Sequence, residues 1–344
     1  MNFGREHPLN KGDSKLNIKT PKPAVNSRKT VCKKMISEPA TIIASAAYLP
    51  PNRVKNSHFE SYLDTSDSWI YERTGIKERR WADMGVKASD MGVFAATEAL
   101  KKANMEPIDL DLILVATMTP DQPLPSTAAL IQSKLTGCKA PAMDISAACS
   151  GYLYGLSVAK AFIEAGMYKK ILLVGCEKMS QVLDPNDRST IILFGDGAGA
   201  SVITSGGKGL RIDNIILGLD GNLANSLYIP QGGSMKMFGQ EVFKTAIQRG
   251  VEVMERLLEK EKLLIENIRY VIFHQANMRI IQNIQKRFQI PEEKIPTTIE
   301  YTANTSAASI PILLESISHE QNQRYMSVAF GAGFTYAGAI FTSL

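Results

Sequence analysis

The chain has 344 residues, 44% of them apolar and 21% charged, with no apolar run near the roughly 18 residues a membrane-spanning helix needs. Its net charge of +5 is concentrated at one end: nine Lys/Arg against three acids in residues 1–39 leave −1 on residues 40–344, so global charge makes no case for nucleic acid binding. The four cysteines (Cys32, Cys138, Cys149, Cys176) form no CxxC pair and fit no zinc spacing, and read as reduced thiols of a cytoplasmic protein.

Residues 1–39 are basic, polar and without apolar periodicity, and lack the apolar core of a secretory signal. They read as a disordered basic extension, a leader or an over-long start, with a transit peptide as the lesser alternative. Met35 stands just before patterned sequence begins.

From residue 40 short apolar strands alternate with amphipathic helices. "TIIASAAYLP" opens as a strand, and residues 89–105 have helical spacing. "LILVATM" is a strand, and 126–137 a helix opened by Ser126 behind Pro125. "APAMDISA" is a strand running into a helix from Cys149, and "KKILLVGCE" (169–177) is the next strand. Residues 189–205 and 210–221 read as two long strands, with "FGDGAGA" as a tight turn in the first. A strongly amphipathic helix covers 238–260, a strand ending at His274 covers 269–277, and a helix follows that Pro291 stops. Residues 304–320 begin with an N-cap type residue and become helical, and the chain closes as two strands around a Gly turn. Such alternation predicts an α/β fold with buried sheets.

The two halves rhyme. Each has a strand leading to a small-residue helix start ("DISAACSG", "YTANTSAAS") and ends in two strands joined through Gly-Ala ("FGDGAGASV", "FGAGFTYAGA"). This predicts a duplicated unit, with halves 40–206 and 207–344 and active residues at their junction.

Each candidate residue is ambiguous alone. A lone cysteine is usually packing, a lone histidine usually structural, and Asn304 reads plainly as an N-cap. Cys149, His274 and Asn304 nevertheless each fall at a strand-to-helix junction, where open α/β sheets meet ligands. Cys/His/Asn is a nucleophilic arrangement.

Seven segments, in order and at matching spacing, now carry a resemblance. They are "DTSDSWIYERTGI" (64–76), "DISAACSGYLYGLSVA" (144–159), "DPNDRSTIILFGDGAGA" (184–200), "GQEVFKTAI" (239–247), "HQANMRII" (274–281), "NTSAAS" (304–309) and "FGAGFTYAGA" (330–339). Over residues 40–344 the sequence resembles the β-ketoacyl-ACP synthase III family of the thiolase superfamily. The resemblance implies a thiolase-like five-layer α-β-α-β-α fold from two duplicated halves, a homodimer, and no cofactor or metal. It implies a catalytic triad of Cys149, His274 and Asn304, with an oxyanion hole from the N–H groups of Cys149 and Ala332. Acyl-CoA would load Cys149, and condensation with malonyl-ACP would release CO2 and 3-oxoacyl-ACP. The helix dipole and nearby His274 would favour the Cys149 thiolate.

The same resemblance assigns Trp69, Arg73, Arg188, Gly239, Phe243 and Asn277 to CoA. It assigns Gln275, Ala276, Asn277, Met278, Arg279 and Lys244 to acyl carrier protein, with Lys286 and Arg287 extending the basic face. Leu124 stands where familiar members carry a phenylalanine at the end of the acyl pocket, contributed across the dimer, which suggests a primer longer or more branched than acetyl. Thr302 and Ala303 replace a His-Gly pair, and Ala332 and Ser189 each replace a glycine. The alternatives are a related condensing enzyme or acyltransferase of a specialised pathway (quinolone, polyketide starter, biotin precursor) and, more remotely, a non-catalytic acyl-CoA or carrier-protein binder. Neither nucleic acid nor a membrane is expected as a partner.

Overall fold

The computed structural model describes residues 38–344, so the reading of residues 1–39 lies outside the described residues except at its last two positions. Nine strands make the main sheet: β1 Ala40–Tyr48, β2 Leu112–Ala116, β3 Ala142–Ile145, β4 Lys170–Glu177, β5 Gly197–Ser205, β6 Leu210–Leu219, β7 Ile268–Phe273, β8 Arg324–Gly331 and β9 Thr335–Ser343. Seven helices matter to the site: α1 Asp67–Thr74, α2 Ala88–Lys102, α3 Thr127–Lys134, α4 Gly151–Glu164, α5 Gly239–Glu261, α6 Met278–Phe288 and α7 Ser309–Ser316.

The strand order is β7-β8-β9-β6-β1-β5-β4-β2-β3. The duplication is visible in the pairing. In the first half β2 and β4 are parallel, β4 and β5 antiparallel, and β5 and β1 antiparallel. In the second half β7 and β8 are parallel, β8 and β9 antiparallel, and β9 and β6 antiparallel. The two sets meet where β1 pairs with β6 at Thr41↔Arg211 and Ile42↔Leu210.

Apolar patterning decides the layers. Strands β2 and β4 are buried almost end to end, as strands covered on both faces must be. Helices α2 and α3 cover one outer face through Met91, Ala95, Ala99 and Ile131, and α5 and α6 the other through Val253, Leu257, Ile281 and Ile284. Helices α4 and α7 lie in the central layer, where Tyr152, Leu153, Leu156, Ile163, Ile310, Leu313 and Leu314 pack among strands of both halves. Full burial of each such large side chain is worth about 1.5–3 kcal/mol.

Local chemistry sets the boundaries. Ser66 and Ser126 cap α1 and α3 by accepting the N–H groups of Trp69 and Ala129, both at 3.2 Å. Residues 189–205 do not form one strand. Arg188–Ile191 is a helical turn, because the Asp187 carboxylate accepts the Ser189 N–H at 2.9 Å and caps it. Nor is "FGDGAGA" a tight turn, since Gly197–Gly199 begin β5. Glycine is needed there for a close approach: a Cβ on Gly199 would stand 2.8 Å from the Ile312 nitrogen and from the Pro311 Cβ of α7.

Candidate active site

Cys149 sits in a short 3-10 turn, Ala148–Ser150, that runs straight into α4. Ala148 takes φ +47°, which turns the chain sharply off β3 before the nucleophile. The second half holds this turn from across the sheet. Thr335 Oγ1 donates to the Ala147 carbonyl and Ser150 Oγ to the Thr335 carbonyl, both at 3.1 Å. A Cβ on Gly331 would lie 2.7 Å from the Cys149 nitrogen, so only glycine lets the 331–334 turn pack this closely on the nucleophile.

His274 follows β7, and its backbone N–H continues the ladder to the Val328 carbonyl at 2.8 Å. Its Nδ1 lies 2.7 Å from Ser309 Oγ, the first residue of α7. Ser309 Oγ also accepts the Gln275 N–H at 3.4 Å, and we assign its own proton to Nδ1. Nδ1 is then an acceptor and Nε2 carries the ring proton. Phe330 packs edge-on against the ring, 5.6 Å between centroids.

Asn304 is clamped between the halves: its N–H donates to the Leu193 carbonyl at 2.9 Å and its carbonyl accepts the Gly195 N–H at 3.0 Å. Its Oδ1 accepts the Ser306 N–H at 2.8 Å, which leaves the amide NH2 as the free donor. Asn304 is therefore not the helix N-cap the sequence suggested, a position taken by Thr305 and Ala308; its oxygen closes a local turn and its nitrogen is spare for chemistry.

Cys149, His274 and Asn304 line one cavity of about 100 Å³. Gly239, Phe243, Ala276 and Asn277 line it too, and so do Val242, Ala246, Ile280, Phe330 and Gly331, apart from Gly331's turn not singled out by sequence reasoning. Their signal was the apolar face of α5 and α6, which is indistinguishable from core patterning. Ala332 lines a second cavity with Ala147 and Ala148, and keeps a negative φ while Gly333 (+67°) and Phe334 (+43°) take the left-handed positions.

The electrostatics correct one expectation. Burial pushes the Cys149 thiol up to about 12, and burial drives His274 down to about 3. The resting pair is a neutral thiol and a neutral imidazole, not a thiolate and an imidazolium.

Trp69, Arg73 and Arg188 come together elsewhere. The guanidinium of Arg73 lies 4.7 Å and that of Arg188 4.6 Å from the Trp69 ring centre. Arg188 also donates to the Asp64 carbonyl. Asn277 links this group to the cavity, capping α6 by accepting the Arg279 N–H at 2.8 Å and donating Nδ2 to the Arg73 carbonyl at 3.1 Å.

The carrier-protein set divides. Arg279, Lys244, Lys286 and Arg287 are exposed or half-exposed, with Arg279 5.5 Å from the Phe243 ring. Gln275 is corrected: it is fully buried, donates to the Phe273 carbonyl at 2.7 Å and accepts the N–H groups of Thr298 and Ile299, so it cannot reach a partner. Met278 is half-buried in packing beneath Gly75, and Ala276 lines the cavity. Leu124 is 84% exposed and is not among the residues lining the cavity of its own chain.

The residues matched by known families agree with this geometry. The 3-oxoacyl-[acyl-carrier-protein] synthase III model matches residues 143–221, and its C-terminal model residues 258–343. The beta-ketoacyl-[acyl-carrier-protein] synthase III of Geobacillus kaustophilus is 46% identical over 305 residues, covering 88% of this chain and 97% of its own. That of Helicobacter pylori is 44% identical over 324 residues with the same coverage. The chain belongs to the β-ketoacyl-ACP synthase III family. The crystal structure of the family's enzyme from Aquifex aeolicus matches with a TM-score of 0.85 at 41% identity, over 88% of this chain and 99% of that one. Membership makes this chain an acyltransferase, a condensing enzyme that initiates fatty-acid synthesis on a thiolase-like fold. Among the described residues no cluster of His, Cys, Asp and Glu could hold a metal, and no helix is long and apolar enough to cross a membrane.

Proposed function

We propose that Cys149 takes an acyl group from acyl-CoA, and that His274 and Asn304 then drive decarboxylation of malonyl-ACP so that its enolate attacks the acyl thioester and releases 3-oxoacyl-ACP. One observation carries this reading: a sulfur and two neutral N–H donors face a single, largely apolar cavity. The thiol supplies the soft nucleophile. His274 Nε2–H and the Asn304 amide supply the two donors an enolate oxygen needs, and their neutrality is useful, because donation continues without a proton being given away. The close packing of the 331–334 turn on the Cys149 N–H supports an oxyanion hole shared by Cys149 and Ala332.

The CoA adenine slots between Trp69 and Arg188, replacing the guanidinium stack, with Arg73 beside it. The pantetheine arm passes Asn277, Gly239 and Phe243 to Cys149. Arg279 and Lys244 present positive charge to an acidic carrier protein at the cavity rim, with Ala276 and Met278 beneath. The active form is a homodimer in which exposed Leu124 closes the partner's acyl pocket, which favours primers longer or more branched than acetyl.

The test is an intact mass spectrum after mixing with acetyl-, butyryl-, isobutyryl- and octanoyl-CoA, beside Cys149→Ala. A single adduct absent from the variant is expected. A clear preference for acetyl would overturn the Leu124 reading, and adducts in the variant would overturn the nucleophile.

A further inference from the structure

The turn that presents Asn304 is strained on both sides. Ala303 (φ +54°) before it and Ser306 (φ +50°) after it take left-handed backbone without being glycine. Such a turn persists only where its surroundings hold it. The Leu193 carbonyl and the Gly195 N–H hold Asn304 from one side. Strand β4 holds the turn from the other. Gly175 lets the strand approach, since a Cβ there would lie 2.6 Å from the Ala307 carbonyl oxygen. Two residues on, at the same face of the strand, Glu177 Oε1 accepts the Ser306 hydroxyl at 3.0 Å. Glu177 is fully buried, and among the described residues it has no ion-pair partner. Lys178, next in sequence, gives its ammonium to the carbonyls of Asp83, Met84 and Val86 instead. A buried carboxylate with no cation beside it is rare and requires a reason.

We propose that Glu177 is a positioning residue for the condensation half-reaction, anchoring Ser306 so that Asn304 keeps its amide NH2 toward the cavity. This rests on the reading that Asn304 donates to the enolate oxygen. The chain of contacts is short. Ser306 Oγ–H donates to Glu177 Oε1, and the Ser306 N–H donates to Asn304 Oδ1 at 2.8 Å. With Oδ1 committed to Ser306, the amide cannot flip without losing that bond and setting its NH2 against an N–H. A displaced Ser306 frees the oxygen to turn toward the cavity, where it would repel an enolate rather than stabilise it. Acyl loading makes no such demand on Asn304, so the two half-reactions respond differently to loss of the anchor.

A carboxylate suits this post better than an amide. Besides Ser306, the Thr119 hydroxyl (2.6 Å), the Thr119 N–H (3.1 Å), the Met118 N–H (3.1 Å) and the Thr117 hydroxyl (3.2 Å) donate to Oε2. These bonds stand in for a counter-charge and fix the carboxylate to the 117–119 loop, so Ser306 is tied to a point that does not move. A glutamine accepts through one oxygen only and must turn its NH2 to one side. The loop side holds two backbone N–H groups that can only donate, so the NH2 would go to Ser306, whose hydroxyl can accept. The anchoring bond would then be kept but reversed.

The competing account is that Glu177 only braces the 117–119 loop. Ser306→Ala separates the two, since it removes the anchor of the Asn304 turn and leaves that loop's donors in place. The experiment measures both half-reactions in the wild type, Ser306→Ala, Glu177→Gln and Asn304→Ala: acyl loading by intact mass, and CO2 release from malonyl-ACP. Ser306→Ala should release CO2 about ten- to a hundredfold more slowly, through kcat rather than KM for malonyl-ACP, and load the acyl group within about threefold of the wild-type rate. Glu177→Gln, which keeps Ser306 hydrogen-bonded, should show the same split at smaller size. Equal slowing of both half-reactions in Ser306→Ala, or CO2 release at the wild-type rate, overturns the positioning role while leaving Asn304 as donor. CO2 release at the wild-type rate in Asn304→Ala overturns both readings.

Discussion

Ser309 Oγ lies 2.7 Å from His274 Nδ1, and this contact between α7 and the end of β7 decides which nitrogen of the ring faces the cavity as a donor. Ser309→Ala should therefore leave acyl loading intact and slow malonyl decarboxylation by about ten- to a hundredfold, because the wrong tautomer becomes accessible. Separate assays of the two half-reactions check this. Equal losses in both would contradict it.

Burial holds His274 neutral in the folded protein, with its ionisation depressed to about 3 from the ordinary 6.5. The unfolded chain binds a proton below about 6.5 and the folded chain does not, so this group costs stability as pH falls from there toward 3. Glu177 acts in the opposite direction. Its carboxyl is raised to about 7 from 4.5, so its contribution is fully present below 4.5 and is lost as pH rises through 7. His274→Ala isolates the first effect. The stability difference between wild type and variant should shift against the wild type by about 2 kcal/mol between pH 6.5 and 5, measured by denaturant unfolding at each pH.

Ala303, immediately before Asn304, takes φ +54° and ψ −156°, a region essentially reserved for glycine. Such strain costs roughly 1–3 kcal/mol, against about 0.5–1 kcal/mol of extra backbone entropy for glycine. Ala303→Gly should stabilise the fold by about 1 kcal/mol in urea unfolding without weakening acyl loading. A destabilised variant would show that the Ala303 methyl group contributes more by packing than it costs in strain.

The guanidinium stack on Trp69 predicts a binding effect without a chemical one. Arg188→Ala should raise KM for acyl-CoA by about tenfold, the scale of one desolvated cation–π contact with its hydrogen bonds, and leave kcat nearly unchanged. With an acyl-pantetheine lacking the nucleotide, wild type and variant should coincide. A variant equally impaired on both substrates would place Arg188 in the structure of the loop instead.

Cys149 and His274 were legible because each sits where a strand hands over to a helix, and that handover is written locally in small residues and caps; Asn304 instead lies between the helical turn Ile299–Thr302 and the 3-10 turn Ser306–Ala308, so the junction expected for it does not form. The same local logic misread residues 189–205: "STIILF" is apolar enough for a buried strand, and only the Asp187 cap and the crossing to Asn304 reveal a helical turn. Gln275 looked like surface beside a basic helix, but its amide is consumed by a loop 23 residues further on. The thiolate expectation failed on burial, which no short motif reports. Glu177 was invisible for a related reason. In sequence it merely ends an apolar strand, and the donors that let it be buried, Thr119 and Ser306, lie 58 and 129 residues away.

The central claim is a division of labour between sulfur and donors, and half-reaction kinetics of His274→Ala and Asn304→Ala test it most directly. Each variant should still accumulate the acyl-Cys149 adduct from acyl-CoA, while CO2 release from malonyl-ACP falls by about a hundredfold or more. Wild-type CO2 release in either variant, or loss of the adduct with decarboxylation preserved, would contradict the account.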